Sequence, residues 1–435
     1  MIIHAPATIP ILPDADPGER FMALALGGKN IFLSGMAGTG KSTLLRKFIG
    51  EVGAAGIDVD VTAPTGIAAL NVDGATIHRW SGMMLGPGSE ERDPSEDNET
   101  FYRYLLGQHT AQRGFDRIYS CRCLVIDEIS MLQGRQFDFL EWLFRKRRRD
   151  ERPWGGCQII VVGDFFQLAP VQTDRAKGYD WCFAREAWAR TRFKTVMLER
   201  IHRQSEVDFI SALCGVRLGQ LSDRQAATLS KRVIANPPED IPHICVRNRA
   251  VDDWNDTALA GLGGETAQFV GQIRGNAGLG ANLAKNLMCP ETLKLKLGAR
   301  VMATANEREG AYVNGTIGVV ESMSGGEIVV RTPAGRVCVR PRTWTSGKSS
   351  LDAGGYAEYT QFPLRLAYSM TIHKCQGLTL DGAYVDIAAA NDAGQCYVGI
   401  SRVRTLKGLY LRGNPRQIFT SGAVKEFYAR IEGEP

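Results

Sequence analysis

Short apolar runs alternate with helical stretches over much of the chain. "NIFLSG", from Asn30, predicts a strand, and Lys41 to Ile49 a helix. "IDVDVTA" predicts a second strand, followed by a helix through "TGIAALNV". "RCLVIDE" is a third strand, and the helix after it sets Phe137, Leu140 and Phe144 on one face at i, i+3 and i+7. "CQIIVVGD" has almost no polar residue, as expected of a strand covered on both faces. This rhythm predicts an α/β fold with a parallel sheet wrapped by helices.

Two stretches break the rhythm. From Ser81 to Phe115 the chain is at first polar and rich in Gly and Pro, with no clear strand, and reads as an insertion. From about Leu293 to Phe362 short β runs follow one another: "ARVMATAN", "GTIGVVESMS", "GEIVVRT", "GRVCVRP" and "AEYTQF". Turn signals at Asn314-Gly315 and "SGGE" separate them, which predicts a small antiparallel barrel. Around this insertion the α/β rhythm returns in "PHICV", a helix from Asn248, "PLRLAYS", a helix from Met370, "GAYVDIA", a helix through "AGQCYVGIS", and "GLYLRG". The pattern therefore predicts two α/β lobes, each carrying an insertion.

Composition adds limits. The 435 residues exceed one ordinary core, and 44% apolar with 23% charged residues is a globular composition. No apolar run is long enough to span a bilayer, and no signal peptide opens the chain. A net charge of +5 is weak evidence for a polyanionic partner. The basic run "FRKRRRDER" from Phe144 and the acidic run "SEERDPSEDNE" from Ser89 read first as solvated surface. Ten cysteines without metal spacing read as reduced thiols of an intracellular protein.

The chemistry begins at "GMAGTGKST". Gly35 to Thr43 fits G-x-x-x-x-G-K-[ST] after a strand and before a helix, the context that pattern needs. Backbone N–H groups of Gly35, Ala37, Gly38, Thr39 and Gly40 and the helix N-terminus would surround phosphate. Lys41 would reach the β and γ phosphates, with Ser42 on Mg²⁺ and Thr43 beside it. "CLVIDEISML" ends a strand on Asp127 and Glu128. The first would hold Mg²⁺ through water, and the second would orient and deprotonate the attacking water. Gln167, in "VVGDFFQLAPV", would sense the γ-phosphate. Phe165 and Phe166 stand at that strand tip, where adjacent aromatics are expected to face different ways. Arg203 in "LERIHRQ" and Arg402 in "YVGISRVR" would bring positive charge to the transition state.

"SMTIHKCQGLTL" follows a strand of the second lobe, mirroring the phosphate loop of the first. His373 and Lys374 suit contact with a strand's phosphates or bases, while Gln376 and Gly377 turn the chain towards the nucleotide. Cys375 reads as a packing residue, because "HKC" does not aim a base at the thiol.

Together these segments, with "TAPTGIAALNVDGATIHRW", resemble superfamily 1 helicases, and most closely the Pif1 family, with RecD and Dda helicases as relatives. "FDFLEWLFRKRRR" resembles the Pif1 signature stretch, and "VNGTIGVV" resembles a turn in the family's SH3-like insertion. The resemblance runs from about residue 31 to 412. It implies two RecA-like lobes: 1–204 with a wedge insertion at about 79–115, and 205–435 with an SH3-like insertion at about 293–362. It implies ATP and Mg²⁺ in the cleft between lobes, with Gln167, Arg203, Gly377 and Arg402 among the nucleotide contacts. Pro64, Thr65, Gly66, His78, Phe166, Asn248, His373 and Lys374 would contact DNA.

The implied activity is an ATP-dependent monomeric motor moving 5′ to 3′ on single-stranded DNA. It would open forked or tailed duplexes, G-quadruplexes or RNA–DNA hybrids, away from any membrane. DNA repair, recombination and telomere maintenance accompany the family, and the sequence does not choose among them. The short leader suggests a bacterial cytoplasm or nucleoid, with nucleus or mitochondrion as the eukaryotic alternative. One departure stands out: near the upstream Gln that reads adenine in the family, "DPGERFMALALGGKN" has Gly18. Three other readings compete: a protein-remodelling ATPase, a GTPase-type switch (which lacks its N-K-x-D motif here), and a nucleic-acid-binding protein with a relic phosphate loop.

Overall fold

The computed structural model describes residues 16–83, 97–107, 109–171, 178–239, 241–246, 248–287, 289–307, 311–346 and 356–432. Its largest sheet has six parallel strands. Their order is Ala75–Thr76, Asp60–Ala63, Cys123–Ile126, Gln158–Val162, Ile31–Gly35 and Lys194–Leu198. The strands Ile31–Gly35, Cys123–Ile126 and Gln158–Val162 are buried throughout, as their mostly apolar runs require. The edge strand Lys194–Leu198 is half covered, with only Val196 fully buried, and was not anticipated.

A second sheet has four parallel strands in the order Ser369–Thr371, His243–Cys245, Ala383–Asp386 and Leu409–Arg412. The α/β class with parallel sheets is therefore observed. "PLRLAYS" departs from its expected single strand. Leu364–Leu366 pairs antiparallel with Arg300–Ala303, and only Ser369–Thr371 enters the parallel sheet. The expected helix from Met370 is a single turn, Ile372–Cys375, with Met370 itself in the strand.

The antiparallel part divides. Gly335–Val339, Glu327–Thr332, Ile317–Ser324, Arg300–Ala303 and Leu364–Leu366 form one sheet in that order. Ala357–Gln361 instead sits between Arg342–Ser346 and Gln272–Gly275. Strands from Ala267 onward, ahead of Leu293, take part, with Ala267–Val270 pairing to Thr292–Leu295. In the first insertion the described residues form the helices Asn98–Leu106 and His109–Ser120; much of the acidic run lies outside the described residues.

The basic run is not simply solvated. On the helix Gly134–Arg148, Arg145 pairs with Glu141 at 3.0 Å and Lys146 with Glu99 at 3.0 Å. Arg147 lies over the Phe115 ring, and Arg148 donates to the Cys121 carbonyl at 2.5 Å. Lys146, Arg147 and Arg148 thus tie this helix to the two insertion helices, while Arg145 pairs within its own helix; the exposed Lys146–Glu99 pair contributes only about 0.5 kcal/mol.

The chain also crosses back. The helices Val207–Leu218 and Gly422–Glu432 pack on the first sheet's side, where Phe427 stacks on Phe183 with centroids 4.3 Å apart. All ten cysteines are free, and the Cys121 and Cys157 sulfurs are in contact at 3.6 Å. Among the described residues no helix is long and apolar enough to cross a membrane.

Candidate active site

In a parallel sheet the loops leaving the strands share the carboxyl edge, so five segments distant in sequence meet there. Ile31–Gly35 leads to the phosphate loop, Cys123–Ile126 to Asp127 and Glu128, Gln158–Val162 to Gln167, and Lys194–Leu198 to Arg203. Asp60–Ala63 leads to Pro64, Thr65 and Gly66.

The phosphate loop takes the form its glycines allow. Gly38 and Gly40 have φ of 83° and 88°. A Cβ on Gly38 would stand 2.7 Å from Cβ of Arg203, so only glycine lets Arg203 approach. Gly40 caps the helix Lys41–Ala54 without any side-chain hydrogen bond, which leaves its first N–H groups available to an anion. Lys41 Nζ donates to the carbonyls of Gly35 at 2.7 Å and Met36 at 3.0 Å. Burial lowers the Lys41 pKa, and this outweighs the opposing pull of Asp164, Glu128 and Asp127.

Burial also dominates the acidic pair. It raises the Asp127 pKa to about 7, with the adjacent Glu128 pushing the same way and the Glu128 N–H, 2.9 Å from Asp127 Oδ1, opposing. Glu128, with φ of 51°, is likewise raised by burial, while Lys41 and Arg402 favour its ionised form. Gln376, itself buried in the loop after the second sheet's strand Ser369–Thr371, also favours that form.

A cleft of about 1190 Å³ holds the arrangement together. From the first sheet it is lined by Ala37, Gly38, Thr39, Gly40, Lys41, Ser42, Thr43, Asp127, Glu128 and Gln167. Arg203, Gly377 and Arg402 face the same space. Arg203 Nε donates to Thr379 Oγ1 at 3.0 Å, and burial, then Arg402, lowers its pKa to about 9. Arg402 is buried, with Nε donating to the Val398 carbonyl at 2.9 Å. Arg46, Asn71, His202 and Arg404 also line the cleft and were not singled out from sequence. Arg46 follows Ser42 by four residues and so shares its helix face, a signal the motif itself omits.

The cleft suits a nucleoside triphosphate, having free amides, a lysine and arginines around polar walls. A hydroxyl at Ser42 and a carboxylate at Asp127 are hard oxygen donors of the type Mg²⁺ takes. Among the described residues no cluster of three His, Cys, Asp or Glu could hold a metal alone.

The positions expected to touch DNA lie outside this cleft. Pro64, Thr65 and Gly66 are half-buried between strand and helix, with Thr65 Oγ1 accepting from the Ala68 N–H at 3.2 Å. His78 is partly buried, its Nε2 has no hydrogen-bond partner, and burial lowers its pKa, with Gln136 opposing that fall. His373 is exposed and Lys374 half-exposed on the one-turn helix. Asn248 opens the helix Asn248–Ala260; its side chain lies outside the described residues.

Phe166 requires a correction. Both Phe165 and Phe166 are buried, at 1% exposure each. Phe166 stacks on Tyr428 at 4.9 Å, with the Arg217 guanidinium 4.2 Å over its ring, so no face is offered to a strand. The C-terminal helix supplies the second apolar wall that local sequence does not reveal. Cys375 is a packing residue: fully buried, it donates to the Ile372 carbonyl, and burial pushes its thiol up to about 11.

Comparison with known proteins finds relatives over nearly the whole chain. The family model described as PIF1-like helicase matches residues 22–227. The ATP-dependent DNA helicase Pif1 of Bdellovibrio bacteriovorus is 36% identical over 95% of this chain and 92% of its own length. Eukaryotic relatives are longer: the chain spans 63% of the ATP-dependent DNA helicase PIF1 of Xenopus laevis, at 33% identity over 94% of this chain. The crystal structure of Bacteroides sp. Pif1 in complex with ADP-AlF4 is 29% identical and superposes with a TM-score of 0.81, covering 97% of this chain and 98% of that one. Bacteroides Pif1 bound to single-stranded DNA, at 29% identity and 97% coverage of each chain, superposes at 0.66.

Proposed function

The chain belongs to the PIF1-like helicase family, and on that premise we propose that it is an ATP-dependent DNA helicase moving 5′ to 3′ along single-stranded DNA. The observation that carries this reading is the shared cleft: Lys41, Asp127 and Glu128 on one side, Gly377 and Arg402 on the other. Forked or tailed duplexes are its expected substrates, with G-quadruplexes and RNA–DNA hybrids as further candidates.

Bound ATP with Mg²⁺ would supply the transferable phosphoryl group and the metal's charge. Lys41 would exchange the carbonyls of Gly35 and Met36 for phosphate oxygens, while Ser42 and Asp127 would hold the metal. Glu128 would accept a proton from water, a task suited to a carboxyl already raised by burial. Gln167 would read the γ-phosphate. Arg203 and Arg402 would meet the charge spread over the transferring group.

Closure of the lobes follows if the triphosphate is bound more tightly by the closed form than by the open one. Gln376 lies beside Glu128 and only two residues from Lys374, so one short loop links the cleft to the outer surface. Strand contacts by His373, Lys374, Pro64, Thr65, Gly66, His78 and Asn248 would be sequence-tolerant and weakened by salt.

Unwinding of forked duplexes with a single 5′ or 3′ tail tests both parts. Opening of the 5′-tailed fork alone is expected. Opening of the 3′-tailed fork alone would overturn the polarity. ATP hydrolysis indifferent to DNA, with neither fork opened, would overturn the helicase in favour of a protein-remodelling ATPase.

A further inference from the structure

A buried polar cluster lies under the nucleotide cleft. Asp164, fully buried, accepts from Arg217 Nη2 at 3.0 Å and from Arg217 Nε at 3.3 Å. The Tyr428 hydroxyl lies 2.7 Å from Ser34 Oγ, accepts from the Phe165 N–H at 3.2 Å, and reaches Asp164 Oδ1 at 3.4 Å. The Tyr428 ring is stacked on Phe166, and the Arg217 guanidinium covers both rings at 4.2 and 5.0 Å. Sequence motifs pointed to none of Ser34, Arg217 and Tyr428.

The cluster touches both loops that bracket the phosphate. Ser34 directly precedes Gly35, whose carbonyl receives Lys41. Asp164 accepts from the Phe166 N–H at 3.2 Å through its side chain, and from the Gln167 N–H at 2.9 Å through its carbonyl. A single hydroxyl on the C-terminal helix therefore spans the base of the lysine loop and the base of the glutamine loop. The charge of Asp164 also reaches Lys41: burial lowers the lysine's pKa, and Asp164 is the largest charge opposing that fall. On its far side the glutamine loop meets the second lobe. A Cβ on Gly394 would stand 1.9 Å from the Gln167 carbonyl oxygen, so that face has no slack.

We propose that Tyr428 is a positioning residue for ATP hydrolysis, its hydroxyl setting the spacing of the Lys41 loop against the Gln167 loop, with Asp164 and Arg217 holding that hydroxyl in place. The C-terminal helix is then a working part of the motor rather than a trailing segment. Losing the hydroxyl would leave the Phe165 N–H and the Ser34 hydroxyl short of a partner inside a buried network, so the loops they belong to should relax. This inference rests on reading the cleft as an ATPase site.

Tyr428→Phe tests it in the full-length chain, because the phenyl ring keeps the stack on Phe166. The expected result is a DNA-stimulated kcat lower by about fivefold or more, with KM for ATP nearly unchanged. The melting temperature should fall by no more than about 3 °C. Phe427→Leu, which trims the neighbouring ring on Phe183, should lower the melting temperature and leave kcat close to wild type. In a double-mutant cycle, Ser34→Ala added to Tyr428→Phe should cost less than the two losses combined. An unchanged kcat in Tyr428→Phe overturns the proposal. So does an equal loss of kcat in Phe427→Leu, which would make the helix a structural support, and so does full additivity with Ser34→Ala. A wild-type chain without ATPase activity would instead overturn the reading of the cleft.

Discussion

Each parallel sheet presents a glycine-bearing loop directly after a strand, and the two loops solve different problems. Gly35–Thr43 opens a 14-residue helix and places three glycines, Gly35, Gly38 and Gly40, at positive φ. Its amides and helix N-terminus are thereby directed at one point. Thr371–Gly377 opens a helix of only 4 residues, capped by Thr371 Oγ1 accepting from the Lys374 N–H. So short a helix offers little dipole, and it separates side chains instead: Cys375 and Gln376 are buried, whereas His373 is exposed. Position after a strand is thus not enough to make a phosphate site. Both loops hold glycine at positive φ, Gly377 included, so what a convergent site adds is the long helix, while a short turn can face two ligands at once.

The largest test of that contrast is Lys41→Ala. ATP hydrolysis should fall by about a thousandfold or more, while single-strand affinity, measured by fluorescence anisotropy, stays within about threefold of wild type. Comparable loss of strand binding would mean that the two loops do not have separate tasks. Lys374→Ala should act the other way. Affinity for single-stranded DNA should fall by about tenfold with the salt slope reduced by about one, and basal ATPase without DNA should be unchanged. A steep fall in basal ATPase would move Lys374 into the cleft.

The smallest effect concerns stability. Asp127 is raised to about 7 in the folded chain from an ordinary value near 4, chiefly by burial. The folded state therefore holds the proton over that interval while the unfolded state has lost it. Stability from this group is full below about pH 4 and is lost as pH rises through 7. Asp127→Asn should stabilise the protein at pH 8, by about 2–4 kcal/mol, and by much less at pH 4.5. Equal melting temperatures of variant and wild type at pH 8 would show that Asp127 carries no burial penalty.

Local pattern sufficed wherever a motif is contiguous. The phosphate loop, the Asp127–Glu128 strand end and the Gly134–Arg148 helix were readable because apolar period and turn chemistry are set by neighbours in the chain. Phe166 was misread because its fate depends on Tyr428, which lies 262 positions further on; no window of the sequence contains both. The split of "PLRLAYS" has the same origin. A short apolar run does not state which sheet will accept it, and the edge offered by Arg300–Ala303 decided Leu364–Leu366.

What the sequence alone determined is the chemistry available: which side chains exist, and which short segments can wrap a phosphate or end a strand on a carboxylate. The tertiary structure decided convergence. It brought Arg402 within reach of Glu128, Gln376 beside that carboxyl, and the C-terminal helix beneath Gln167. The physical reason is that pairings between distant segments depend on burial and on sheet order, which are properties of the folded whole. Dihedral preference and hydrophobic period act over only a few residues, and they are silent on both.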